Sequence, residues 1–103
     1  MKILIVDDEV NILRALRRDF RKCDYAISEA ADGVEAFELL KQDSFDLLIT
    51  DNNMPGKTGL ELINEIKLLK PNLAIILLTG RPILLEDVPK EVMFLAKPWN
   101  EVE

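Results

Sequence analysis

Hydrophobic residues along this chain fall into short unbroken runs separated by stretches where they recur every three or four positions. The first run, Ile3-Leu4-Ile5-Val6, stops at Asp7-Asp8. It is β-branched and too short for a helix, so it predicts a buried strand from about Lys2 to Val6. From Glu9 to about Lys22, Ile12, Leu13, Leu16 and Phe20 recur at helical spacing, with Arg14, Arg17, Arg18 and Arg21 on the other side. Glu9 in the first turn and the basic residues in the last suit the helix dipole. The alternating stretch Tyr25–Ala30 predicts a second strand. Asp32-Gly33 punctuates, and Val34, Ala36, Phe37 and Leu40 mark a second helix ending near Gln42.

The third strand, Phe45 to Thr50, runs into Asp51 and then into a turn of Asn52, Asn53, Met54, Pro55 and Gly56. Leu60, Ile63, Ile66 and Leu69 form an apolar stripe on a third helix, from about Thr58 to Lys70, which Pro71 stops. Ala74–Leu78 is a fourth buried run, closing on Thr79-Gly80, and Val92–Ala96 a fifth, closing on Lys97-Pro98. Only 18 positions separate Thr79 from Lys97, and Pro82 and Pro89 lie between them. A fourth helix there is therefore short, about two turns around Leu84 to Val88, or irregular. Apolar strands alternating with amphipathic helices give an α/β fold, a doubly wound parallel sheet covered on both faces.

Composition narrows the class. The chain of 103 residues is one domain, 49% hydrophobic, with a net charge of −6. That acidic balance argues against nucleic acid as a direct partner. The first apolar run is shorter than the roughly 7–15 residues of a secretory signal or the roughly 20 of a membrane span, so a cytoplasmic location is expected. Cys23 is alone, which suits a reducing compartment. There is no histidine, which removes any histidine triad, base or metal ligand from within the chain.

The polar residues at the ends of the strands carry the chemistry. Strand one ends in Asp7-Asp8, strand three in Asp51, strand four in Thr79 and strand five in Lys97. In a parallel sheet these ends lie along one edge, where open α/β sheets bind ligands. Taken singly, Asp7 or Asp8 reads as a helix N-cap, Asp51 as a turn former, and Lys97 as a solvated cation. Taken together they converge on one crevice. Carboxylates about 4 Å apart repel by about 4 kcal/mol per pair at an effective dielectric near 20. Lys97 and a hard divalent cation, Mg2+ above all, offset this. Such a set suits an incoming phosphoryl group.

ILIVDDE at the start, TDNNMPGKTG in the middle, LLTG on strand four and LAKPW near the end together resemble the receiver domain of two-component response regulators, of the chemotaxis-regulator-like kind. The resemblance spans essentially the whole chain. It implies a flavodoxin-like sheet of order 2-1-3-4-5. It further implies that Asp51 is the phosphoacceptor for a sensor histidine kinase or phosphotransfer protein. By the same resemblance Asp8 is a direct ligand of Mg2+ (or Mn2+), Asp7 holds the metal mainly through water, and Asn53 contributes its backbone carbonyl. Thr79 matches the switch hydroxyl, Phe94 the aromatic switch position and Lys97 the ammonium that pairs with the phosphoryl oxygens. Gly59 and Pro55 match loop residues, and Lys97-Pro98 is usually cis. The arginine helix belongs to the kinase-docking surface in that family.

The expectation is a phosphorylation-dependent switch that catalyses only its own phosphorylation and dephosphorylation. It would control an output domain or partner through the surface near strands four and five. The alternative is a phosphorylation-independent interaction or dimerisation module on the same fold. A phosphohydrolase of the haloacid-dehalogenase type needs a second acid two residues after its nucleophile, and Asn53 stands there. The chain ends at Glu103, where a fifth helix is due. The reading is therefore a receiver domain over residues 1–103 that belongs to a longer protein or has its uncovered sheet face closed by a partner, for example as a homodimer.

Overall fold

The computed structural model describes residues 1–52, 54, 56–79 and 92–96, the side chains of 79 and 93–96 excepted. The expected short helix around Leu84 to Val88, the Lys97-Pro98 bond and the fifth helix lie outside the described residues, as do Asn53, Pro55 and Lys97. Among the described residues, five strands and three helices follow in the order β1 (Lys2–Val6), α1 (Val10–Asp19), β2 (Ala26–Ala30), α2 (Gly33–Gln42), β3 (Leu47–Asp51), α3 (Gly59–Leu69), β4 (Ala74–Thr79) and β5 (Met93–Ala96). The strands form one sheet in the order β2-β1-β3-β4-β5, every pairing parallel. This is the flavodoxin-like order expected from the sequence.

Side-chain alternation divides the core in two. Leu4, Val6, Leu48, Ile75 and Leu77 face α2 and α3, where Ala36, Leu40, Leu62, Ile63 and Ile66 meet them. Ile3, Ile5, Ile49 and Leu78 face the other way, toward Leu13 and Leu16 of α1. Because β1 and β3 are buried on both faces, their runs read as continuously apolar rather than alternating.

Three details differ from the periodicity. Val34 and Leu69, apolar residues that mark α2 and α3, are 58% and 54% exposed. The stripe through 60, 63, 66 and 69 uses a constant step of three. At about 100° per residue that step slips backward by roughly 60° each time, and by Leu69 it has left the core face. The buried set is Leu62, Ile63 and Ile66. Glu9, expected in the first turn of α1, is instead the extended N-cap residue (φ −98°, ψ 114°), and the helix ends at Asp19 rather than near Lys22.

Candidate metal and phosphoryl site

The register of β1 on β3 sets up the site. Val6 pairs with Thr50, so the next residue on each strand, Asp7 and Asp51, emerges side by side at the carboxyl edge of the sheet. After β1 the chain crosses to β2 on one flank, and after β2 it returns past β1 to β3 on the other. The crevice between β1 and β3 is therefore the topological switch point. One carboxylate oxygen from each of Asp7, Asp8 and Asp51 lies within 4.8 Å of the others. Asp7 and Asp51 are buried, at 1% and 4% exposure, while Asp8 faces solvent.

Local hydrogen bonds hold the Asp7 carboxylate and the backbone at Asp51. Asp7 receives the Glu9 N–H on Oδ1 at 2.9 Å and donates its own N–H to the Ala30 carbonyl at 3.1 Å. Asp7 thus makes a local contact as well as joining the cluster, while the N-cap position of α1, which Asp7 or Asp8 alone would suggest, falls to Glu9. The Thr50 hydroxyl donates to the Asp51 carbonyl at 2.9 Å, and Asp51 stays in register with Leu78 of β4. Carboxylates about 5 Å apart repel by about 3 kcal/mol per pair at an effective dielectric of 20. Two buried acids and one wet one this close are well suited to a hard divalent cation with oxygen ligands.

The next strand pair extends the edge. Thr79 pairs with Ala96 at the last position of β4 and β5, so the backbone of Thr79 ends at the same rim as Asp51. Phe94 lies on β5 opposite Leu77. The structure thus brings Asp7, Asp8 and Asp51 together as side chains and places Thr79 and Phe94 by backbone.

The residue that sequence reasoning missed is Asn52. Its carbonyl accepts the Gly59 N–H at 3.0 Å and the Met54 N–H at 3.2 Å, and its Oδ1 accepts the Leu60 N–H at 3.0 Å. The β3–α3 loop is thereby folded back onto the strand end. Gly56 turns it with φ +76°, and a Cβ on Gly59 would stand 2.3 Å from the Asp51 carbonyl oxygen. The available signal was an amide side chain shortly before a helix whose first N–H groups need acceptors.

A doubly wound parallel sheet with three acids gathered at its switch point defines an α/β protein with an acidic cation site at the carboxyl edge. The chain belongs to the response regulator receiver domain family, whose model matches residues 3–102. It is similar to the response regulator receiver protein CpdR of Brucella abortus, with 30% identity over 99% of this chain and 93% of that protein. It is also similar to the aerobic respiration control protein ArcA of Escherichia coli, with 40% identity over 98% of this chain but only 44% of ArcA. Among solved structures, the response regulator TrrA of Thermotoga maritima, crystallised in complex with Mg(2+)-BeF, superposes with a TM-score of 0.87 at 36% identity. That match covers 96% of this chain and 88% of TrrA. The chain is a receiver of the two-component signalling type. None of the described helices is long and apolar enough to cross a membrane.

Proposed function

We propose that this receiver is a phosphorylation-dependent switch in which Asp51 accepts a phosphoryl group from a histidine of a sensor kinase or phosphotransfer protein. The observation that carries the reading is the convergence of Asp7, Asp8 and Asp51 within 4.8 Å, with Asp51 buried at the end of β3. The Asp51 carboxylate is the nucleophile. One of its oxygens bonds to phosphorus as the phosphorus–nitrogen bond of the donor imidazole breaks, giving an aspartyl phosphate. The donor histidine belongs to the partner, in keeping with a chain that has none.

Asp7 and Asp8, with Asp51 and the backbone carbonyl of Asn53, are the residues that would hold Mg2+. The Mg(2+)-BeF complex of the similar protein TrrA supports that ligand class. When bound, the ion supplies charge neutralisation for the transferring group. Lys97 pairs with the phosphoryl oxygens, and Thr79 closes on them. Phe94 follows Thr79 and changes the surface near β4 and β5, which an output domain or partner reads. The chain's own catalysis is limited to gaining and losing this phosphoryl group.

The test is incubation with acetyl phosphate and Mg2+, wild type against Asp51→Asn, followed by intact mass. The expected result is one acid-stable, base-labile phosphoryl group on the wild type and none on Asp51→Asn. A wild type that takes no label in Mg2+ overturns the proposal, and labelling of Asp51→Asn moves the acceptor elsewhere.

A further inference from the structure

The start of α3 spends every one of its free donors, and half of them on one residue. The first N–H groups of a helix have no acceptor within it. Here the Thr58 N–H donates to Glu61 Oε1 at 2.8 Å and the Glu61 N–H to Thr58 Oγ1 at 3.1 Å, a reciprocal capping box. The remaining two, from Gly59 and Leu60, both go to Asn52, at 3.0 Å each, one to its backbone carbonyl and one to Oδ1. Thr58 caps the helix and Asn52 anchors it to the strand.

Asn52 is covalently next to Asp51. The tie therefore runs from the stiff body of α3, packed through the buried Leu62, Ile63 and Ile66, straight to the residue bearing the reacting carboxylate. Its closeness is made possible by Gly59, where any Cβ would collide with the Asp51 carbonyl. A backbone-only tie would hold one point of the loop; the side-chain bond adds a second, eight residues away in sequence, and two points fix direction as well as distance.

We infer that Asn52 is a positioning residue: its side-chain oxygen, bonded to the Leu60 N–H, holds the end of β3 so that the Asp51 carboxylate faces the incoming phosphorus. The inference rests on the phosphoacceptor reading of Asp51. Asn52 touches neither phosphorus nor metal and acts only through its neighbour. Removing its acceptor leaves the part-buried Leu60 N–H without a partner and lets the strand end turn. Misplacement of a reacting group by about 1 Å costs up to about a hundredfold in rate, so a loosened tie costs about tenfold.

The experiment measures labelling by acetyl phosphate against donor concentration at saturating Mg2+, for wild type, Asn52→Leu and Asn52→Asp. Leu is close to isosteric and accepts no hydrogen bond; Asp keeps an acceptor oxygen at a helix N-terminus that favours it. The maximal rate of Asn52→Leu should fall about tenfold, with the half-saturating donor concentration changed less than about twofold. Asn52→Asp should recover to within about threefold of wild type. Hydrogen exchange should show the Leu60 amide losing protection in the Leu variant alone. If Asn52→Leu does not fold, Asn52→Ala, which also lacks a side-chain acceptor, takes its place. Equal maximal rates in wild type and Leu variant, or an Asp variant as slow as the Leu variant, overturn the inference while leaving the phosphoacceptor intact. A wild type that takes no label overturns both.

Discussion

β1 and β3 lie side by side, and their two ends treat charge in opposite ways. At the amino edge, unlike groups are matched. The Lys2 ammonium pairs with the Asp43 carboxylate, the Lys2 N–H donates to Asp46 Oδ2 at 2.8 Å, and the Lys70 ammonium donates to the Asp43 carbonyl at 3.1 Å. At the carboxyl edge of the same strands, Asp7, Asp8 and Asp51 are held against one another. The first arrangement is what folding alone favours: exposed pairs, each contributing little. The second sets like charges against one another, and the sheet register brings them there. Stability and chemistry are thus allotted to opposite ends of one strand pair, and substitutions at the two ends should have opposite signatures.

The largest contrast is in the response to metal. Mg2+ at about a hundredfold excess over its Kd should stabilise the wild type by about 2.7 kcal/mol, and EDTA should remove all of it. Asp8→Asn should weaken Mg2+ binding by about tenfold or more, about 1.4 kcal/mol, in isothermal titration. Lys2→Ala at the other edge should leave the affinity unchanged; an Mg2+ response lost equally in both variants would break the comparison.

Next in size is the close approach that supports the carboxyl edge. Gly59→Ala should cost about 2 kcal/mol or more in urea unfolding, because the new methyl meets backbone rather than a yielding side chain. A third effect has the unusual sign. Without metal, Asp51→Asn should raise stability by about 1 kcal/mol, since it relieves like-charge repulsion in a buried site. A metal-free Asp51→Asn less stable than wild type would mean that the other contacts of Asp51 outweigh the repulsion.

The smallest effect lies at the amino edge and is read by pH. The Lys2 hydrogen bond, followed by that of the Ser44 N–H, holds the Asp43 carboxyl below its ordinary value of 3.8. A carboxyl depressed in the folded state stabilises above its unfolded pKa, and that contribution is lost as pH falls through the folded value. The stability difference between wild type and Asp43→Asn should therefore be constant from pH 7 to about pH 5 and shrink below about pH 4. A difference that grows on acidification would reverse the sign assigned to this pair.

Much of the fold could be read in advance because its strands are buried on both faces. Such strands appear as unbroken apolar runs, and each run ends where the chain leaves the core, so the runs locate Asp7, Asp8 and Asp51 at strand ends with no knowledge of neighbours. The errors at Val34 and Leu69 came from helices, where one residue of drift turns a side chain by about 100° and a stripe of constant spacing cannot say which face the sheet will cover. Asn52 escaped because its work is a hydrogen bond to a backbone eight positions away, a contact with no compositional signature.

The sequence by itself determined the order of strands and helices, the absence of any internal histidine, and the acids that β1 and β3 deliver to their ends. Only the tertiary structure decided that Val6 stands opposite Thr50, so that Asp7 and Asp51 become neighbours 44 positions apart in the chain. It also decided that of two adjacent aspartates Asp7 is buried and Asp8 faces solvent, and that Asn52 turns its amide to α3. The physical reason is that a strand's apolar run encodes how deeply it is buried, whereas register, facing and side-chain aim depend on partners that are brought near only when the sheet closes.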